Sequence, residues 1–300
     1  MKKTLIALAA VAVTTGAMAQ AVLSGNLAVG FAGDTAAGVE TSGYGIDTAN
    51  FKLSSSEDLG GGLKISGSMA FEGAVEDQNT NGNGVTLGLS GGFGSVVFSA
   101  AESSDFLPVD GLTKIAMGTD ADRITYTAPT MSGFTFQVTT QDNVDIAAAL
   151  GAEMDGDTSG TSSVLVLAAN YTTGPISIDV QHQDFKGVYG AAGVSRVGVR
   201  GSYDFGMAKV TYGMMDESRT AANSDVKATG LTISAPVGPL SVAITSASQK
   251  TGTATKLKGS SLSVSYALSK RTGIAFYNES YDVVSSTQTK EHSLVLTHSF

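Results

Sequence analysis

His182, His292 and His298 are the only imidazoles in the 300-residue chain, and cysteine is absent. A metal site needs converging ligands, and an activated nucleophile needs a base that a carboxylate orients. The histidines instead fall into alternating stretches. In LVLTHSF, His298 shares parity with Leu294, Leu296 and Phe300, and His182 follows Ile176, Ile178 and Val180 at steps of two. That assigns all three to an apolar face, and no serine stands in a nucleophile-elbow context. No catalytic constellation, metal site or cofactor is expected.

Charges on the opposite parity offer a different chemistry. Lys52, Lys64, Arg123, Arg196, Arg200, Lys209 and Lys227 are read on the polar face of alternating segments, with Glu72 and Asp179 as acids of the same face. If that face lines a narrow wet pore, its charged patches filter ions more than net charge does. Lys64 and Lys209 follow short turns; Arg123, Arg196 and Lys227 adjoin long connections. Lys52 and Arg200 remain as the mid-height bases.

The elements that must position these charges are strands. Period-two alternation runs through the chain, as in Phe134, Phe136 and Val138 against Thr135, Gln137 and Thr139. Sixteen such segments can be marked, each near the ~10 residues of a tilted spanning strand. Tight connections such as TTGP, DFG and APVGP alternate with longer polar ones, among them DTAAGVETSGYG and DESRTAANSD. Pro129, Pro175, Pro236 and Pro239 stand in short turns, where a missing N–H does no harm.

Alternation alone also suits a soluble sandwich. Two features favour a closed barrel in a bilayer. The second face is rich in Ser, Thr, Gly, Asn and Gln, and the apolar face carries Tyr126, Phe134, Tyr171, Tyr203, Tyr266 and Phe300 beside the short turns. Aromatics of this kind form a girdle where hydrocarbon meets headgroups. A strand that stays apolar on one face up to Phe300 makes sense if it pairs on both edges. The expected fold is therefore an all-β transmembrane antiparallel β-barrel of sixteen strands, with membrane lipid as its surroundings.

The first residues, MKKTLIALAAVAVTTGAMAQ, read as a secretory signal peptide over 1–19, with the barrel as one domain over 20–300. Loss of Lys2 and Lys3 leaves 27 acidic residues against 16 basic ones. A chain this acidic is a poor partner for nucleic acid. Intact-mass measurement of the exported protein is expected to give a chain starting at Gln20; a mass retaining Lys2 and Lys3 would contradict it.

SSSEDLGGGLKISGSMAFE, LGLSGGFGSVVF, DRITYTAPTMSGF, SYDFGMAKVTYG, YALSKRTGIAFY and the terminal Phe300 resemble, in order, segments of the general porins of Gram-negative outer membranes, particularly the beta-proteobacterial type. The resemblance implies a homotrimer in the cell outer membrane, each barrel forming a water-filled channel for passive diffusion of ions and small hydrophilic solutes. A substrate-specific channel, with Tyr277 as a sparse lumenal aromatic, and a structural or adhesive barrel are the alternatives. The resemblance further implies a third loop, about 101–122, that folds inward and constricts the pore. It carries Glu102, Asp105, Asp110, Asp120 and Asp122, with Lys114 as its base. Phe300 resembles the mark that the barrel-assembly machinery reads. The family often has bases at the positions of Asn50, Ser54 and Ala100, which are neutral here, and Lys52 is the compensating base.

Overall fold

The computed structural model describes residues 21–36, 38–73, 81–101, 121–142, 163–186, 194–219, 221–282 and 288–300. Sixteen strands follow one another: β1 Val22–Ala36, β2 Val39–Gly60, β3 Leu63–Glu72, β4 Asn81–Gly91, β5 Gly94–Ala101, β6 Ala121–Thr127, β7 Phe134–Asp142 and β8 Ser163–Thr173. The second half comprises β9 Ile176–Lys186, β10 Val194–Asp204, β11 Lys209–Ser218, β12 Val226–Val237, β13 Leu240–Thr251, β14 Leu257–Ala267, β15 Thr272–Tyr281 and β16 Thr289–Ser299. Each strand pairs antiparallel with its sequence neighbours, and β16 pairs with β1 to close the barrel. No described helix is long and apolar enough to cross a membrane. Closure satisfies every ladder inside the sheet, as hydrocarbon requires.

The curvature separates the two parities. Side chains on the concave side crowd one another, whereas those on the convex side splay apart. Gln183, Met215, Glu217, Val226 and Ala228 are buried on the inward parity. Leu27, Val29, Phe31, Leu87, Phe98 and Phe136 are exposed on the outward parity, so the apolar face looks out to lipid. Tyr126, Phe134, Tyr171, Tyr203, Tyr266 and Phe300 all lie outward near the short-turn end, and the Phe134 and Tyr171 rings meet in a tilted contact with centroids 4.4 Å apart. All three histidines are outward too, as the alternation implies.

Short turns join the strands at one end. The β2–β3 turn needs left-handed backbone at Gly61 and Gly62, with φ of 62° and 81°, which only glycine adopts readily. At the other end two expectations change. DTAAGVETSGYG is not a long loop: β1 runs on through it to Ala36 and β2 begins at Val39, giving strands of 15 and 22 residues. DESRTAANSD likewise begins within β11, which runs to Ser218, while β12 starts at Val226, and the Arg219 N–H donates to Asp225 at 2.9 Å. Polar residues on both faces hide such extensions, because outside the bilayer no apolar face marks the strand.

Candidate functional site

The inward face is a polar wall with its own long-range order. Reading cross-strand partners around the barrel, Thr41, Asp34, Glu291, Glu279, Ser261, Thr245, Thr232, Thr211, Ser202 and Ser177 succeed one another on ten strands. Thr232 and Thr245 hydrogen-bond through their hydroxyls at 2.9 Å. Strand tilt makes such a row climb around the wall. Hydroxyls at this density offer water and solutes continuous donors and acceptors.

Charge is distributed unevenly along the wall. Asp34, Glu291 and Glu279 stand directly opposite one another on β1, β16 and β15. The Thr41 hydroxyl donates to Asp34 and the Tyr281 hydroxyl to Glu291. An open recess of about 920 Å³ runs along this acidic wall. The arginines occupy a different arc: Arg123 on β6, Arg196 and Arg200 on β10, with Lys209 on β11.

Each anticipated base has a distinct setting. Arg200 donates to Asp179 on β9, with Nε and Nη2 at 3.2 and 3.1 Å from one carboxylate oxygen. The other carboxylate oxygen of Asp179 accepts from the Asn170 amide at 2.7 Å. A recess of about 450 Å³ opens beside this pair, lined also by Ser202, Lys209 and Thr232. Arg196 is packed into the wall, with its guanidinium 4.6 Å from the Phe185 ring centroid and bonded to the buried Glu217, which also pairs with Arg219. Lys52 is exposed on the inward parity between Ser24 and Ala70. Lys64 lies opposite Asp58 and Ser90 near the short-turn end. Arg123 lies inward between Ser99 and Gln141.

The structure does not gather these bases. Lys52 on β2 and Arg200 on β10 stand eight strands apart in the closed order, on opposite walls. Lys227 corrects the sequence expectation. It shares the outward parity of Leu231 and Ile233 and pairs with Asp216 at 3.2 Å on the outer face. Asp122 belongs to β6, on the parity of Ile124 and Tyr126, and Ala100 opposite it is outward as well. Glu102, Asp105, Asp110, Lys114 and Asp120 lie outside the described residues, as do residues 1–19, expected from the sequence to be a signal peptide. Sequence reasoning missed Asp34, Glu279 and Glu291. Continuing the parity of Tyr277 to Glu279, and of Ser293 back to Glu291, would have found two of them.

A closed barrel with lipid-facing apolar residues and a charged, hydroxyl-rich interior defines a transmembrane channel. A model of the Gram-negative porin family matches residues 5–282. The chain belongs to that family: it is an outer-membrane porin, a water-filled channel for passive diffusion. Outer membrane porin protein 32 of Delftia acidovorans is 28% identical over 288 residues, covering 79% of this chain and 77% of that one. An anion-selective porin from Comamonas acidovorans superposes with a TM-score of 0.75 at 21% identity, over 94% of this chain and all of the other. The trimer form of OmpT, an outer membrane protein of Vibrio cholerae, gives a TM-score of 0.67 at 11% identity, covering 94% and 99% of the two chains.

Proposed function

We propose that the filter of this porin is a transverse field set by wall charges as well as by the acids Glu102, Asp105, Asp110 and Asp120 of the connection between β5 and β6. The acidic row Asp34, Glu279 and Glu291 forms one pole, and the arc carrying Arg123 and Arg200 forms the other. The observation that carries the reading is the cross-strand alignment of three carboxylates on β1, β16 and β15, away from the arginines of β6 and β10. Lys52 adds a base on the acidic side, and Lys64 one near the short-turn mouth. Arg196 acts mainly in the wall, because Glu217 compensates its charge. Acids and bases then nearly balance, giving mild selectivity. The Comamonas relative is described as anion-selective, but the acidic row argues against a strong anion preference here. The working unit is a homotrimer, the state in which the Vibrio relative is described, and solutes cross without catalysis.

Planar-bilayer recording in a KCl gradient tests this. Lys52→Gln with Arg200→Gln is expected to move the reversal potential toward cations. Glu279→Gln with Glu291→Gln is expected to move it toward anions. Each pair should change the permeability ratio about two- to fivefold, on the order of 1 kcal/mol of Coulomb energy in a wet pore. The shifts should grow in dilute salt, where screening is weak. Unchanged reversal potentials in both double variants would remove these residues from the filter. Absence of conductance in the wild type would favour a structural barrel.

A further inference from the structure

Closure pairs the strands on both sides through the bilayer, but one stretch beyond it stands apart. β2 pairs with β3 only from Asn50, opposite Glu72, whereas its ladder with β1 runs on to Val39. Among the described residues, one edge of β2 from Val39 to Ala49 therefore has no strand beside it. Every residue from Val39 to Asp47 is exposed, Tyr44 at 92%. At ~3.3 Å per residue on a strand tilted ~40°, Tyr44 stands roughly 40 Å above the Gly61 turn, beyond an apolar band about 25 Å tall. Water tolerates such an edge, but its unpaired N–H and C=O groups remain a template for another strand.

Exposed edges are commonly blunted by lysine or proline. The run TSGYGI, Thr41 to Ile46, has neither, and acids flank it at Glu40 and Asp47. Asp47 is the extra residue where the β1–β2 register shifts. The two sides of the run differ. Tyr44 and Ile46 face outward opposite Phe31 and Val29 and offer apolar surface. Gly43 and Gly45 hold inward positions, where an added Cβ would meet nothing within 4 Å. They line the recess that also holds Asp34, Asp47 and Glu291. An added strand would lay alternate side chains over open glycine backbone toward these carboxylates, and the others beside Tyr44 and Ile46. Edge-to-edge pairing with a second copy would instead set Glu40 and Asp47 against the same acids. Like charges facing one another across a ladder repel.

We propose that the loop-end edge of β2, Val39–Asp47, docks a cationic peptide segment of a partner protein as an added strand. Main-chain hydrogen bonds to β2 supply the pairing, and alternate side chains supply the choice of partner. Lysine or arginine at every second position answers Asp34, Asp47 and Glu291. Apolar residues between them lie against Tyr44 and Ile46.

The test uses the refolded mature protein in neutral detergent and a short probe peptide that alternates lysine with valine and threonine. Affinity is read by fluorescence anisotropy, and amide hydrogen exchange is followed by mass spectrometry. The probe is expected to bind and to slow exchange across Val39–Asp47, leaving β9–β11 unchanged. Its fully N-methylated counterpart, equal in charge but unable to donate, should bind about tenfold more weakly. Gly43→Lys with Gly45→Lys should also weaken binding about tenfold, at an unchanged thermal midpoint, and Glu40→Gln with Asp47→Asn about fivefold. Glu57→Gln, near the short-turn end of the same strand, should leave it unaltered. No binding of the probe, equal affinity of the N-methylated form, protection confined to other strands, or wild-type affinity in the double lysine variant would each overturn the proposal. Val39–Asp47 amides that exchange as slowly as those of β9–β11 before any probe is added would overturn it too, by showing the edge already covered by a second copy.

Discussion

Replacing Glu217 with alanine is expected to cost the folded barrel about 3–5 kcal/mol, the penalty for breaking a buried ion pair from one side. The Glu217 side chain is 2% exposed and bonds two guanidinium groups. Arg196 is itself only 11% exposed, so without the carboxylate its charge stays in the wall facing little water. Arg219 is 42% exposed and adds little to the cost. The surroundings deepen the effect. Val164, Val166, Phe185 and Val194 form a buried apolar cluster on the same inner wall, and the Arg196 guanidinium lies over Phe185. Glu217→Gln keeps the volume and one acceptor, and should lose less. Lys227→Gln breaks an exposed pair instead and should stay within about 0.5 kcal/mol of wild type. Urea unfolding of refolded barrels in micelles measures all three. If Glu217→Ala unfolds at the same urea concentration as Lys227→Gln, the buried network does not stabilise the wall.

What the sequence revealed and what it hid follow from the same rule. Parity is legible wherever one face meets hydrocarbon, because a single-residue slip would expose every apolar side chain to the wrong side. That is why His182, His292, His298, Phe134 and Phe300 could be assigned outward, and Lys52 and Arg200 inward, from alternation alone. The rule weakens where the contrast between faces inverts. Around Lys227 the inward neighbours Val226 and Ala228 are themselves buried at 2% each, so the lumenal face is apolar and the lysine takes the outer one. It fails again beyond the bilayer, where β1 and β2 continue with polar residues on both sides. Asp34 lies in that extension and was hidden with it. The pairing of Arg196 and Arg219 with Glu217 depends on two adjacent strands and a connection meeting at one carboxylate, which no single segment displays.

The acidic row and the arginine arc have a further consequence for how the pore tolerates change. Their members sit on different strands, held by a ladder that does not depend on any one of them. Wall charges more than a Debye length apart are screened from one another, so their contributions to selectivity should add. The Arg200–Asp179 pair is the exception, since removing one member also unmasks the other. Arg200→Gln therefore turns a compensated pair into an exposed Asp179 carboxylate, a change of one charge like that of Lys52→Gln, so the two single variants should shift the reversal potential by similar amounts.

Deleting Phe300 is expected to reduce the level of assembled barrel in the outer membrane several-fold or more. The reason begins at the seam. The Phe300 N–H donates to the Gly25 carbonyl and the Gly25 N–H to the Phe300 carbonyl, both at 3.1 Å, which makes this pair the last rung of the β1–β16 closure. The ring also lies over Gly25: a Cβ there would come within 2.2 Å of the Phe300 Cζ atom. An aromatic covering a cross-strand glycine protects backbone that would otherwise lie bare at the membrane boundary. Two net hydrogen bonds at about 1 kcal/mol each, plus part of a ring, come to roughly 2–4 kcal/mol. Ten further paired positions hold β16 to β1, so the refolded variant should still close, with a lower thermal midpoint. In cells a loss of this size already lowers abundance several-fold. Recognition of the terminal aromatic by the assembly machinery would lower it further. Phe300→Tyr should retain both effects, and Gly25→Val should displace the ring while leaving the chain terminus aromatic. Outer-membrane yield and midpoint measured on all three variants separate the contributions. A fall in yield for the deletion but not for Gly25→Val assigns the main effect to recognition, and an equal fall in both assigns it to the seam. Wild-type yield and midpoint in the deletion variant would show that Phe300 has neither role.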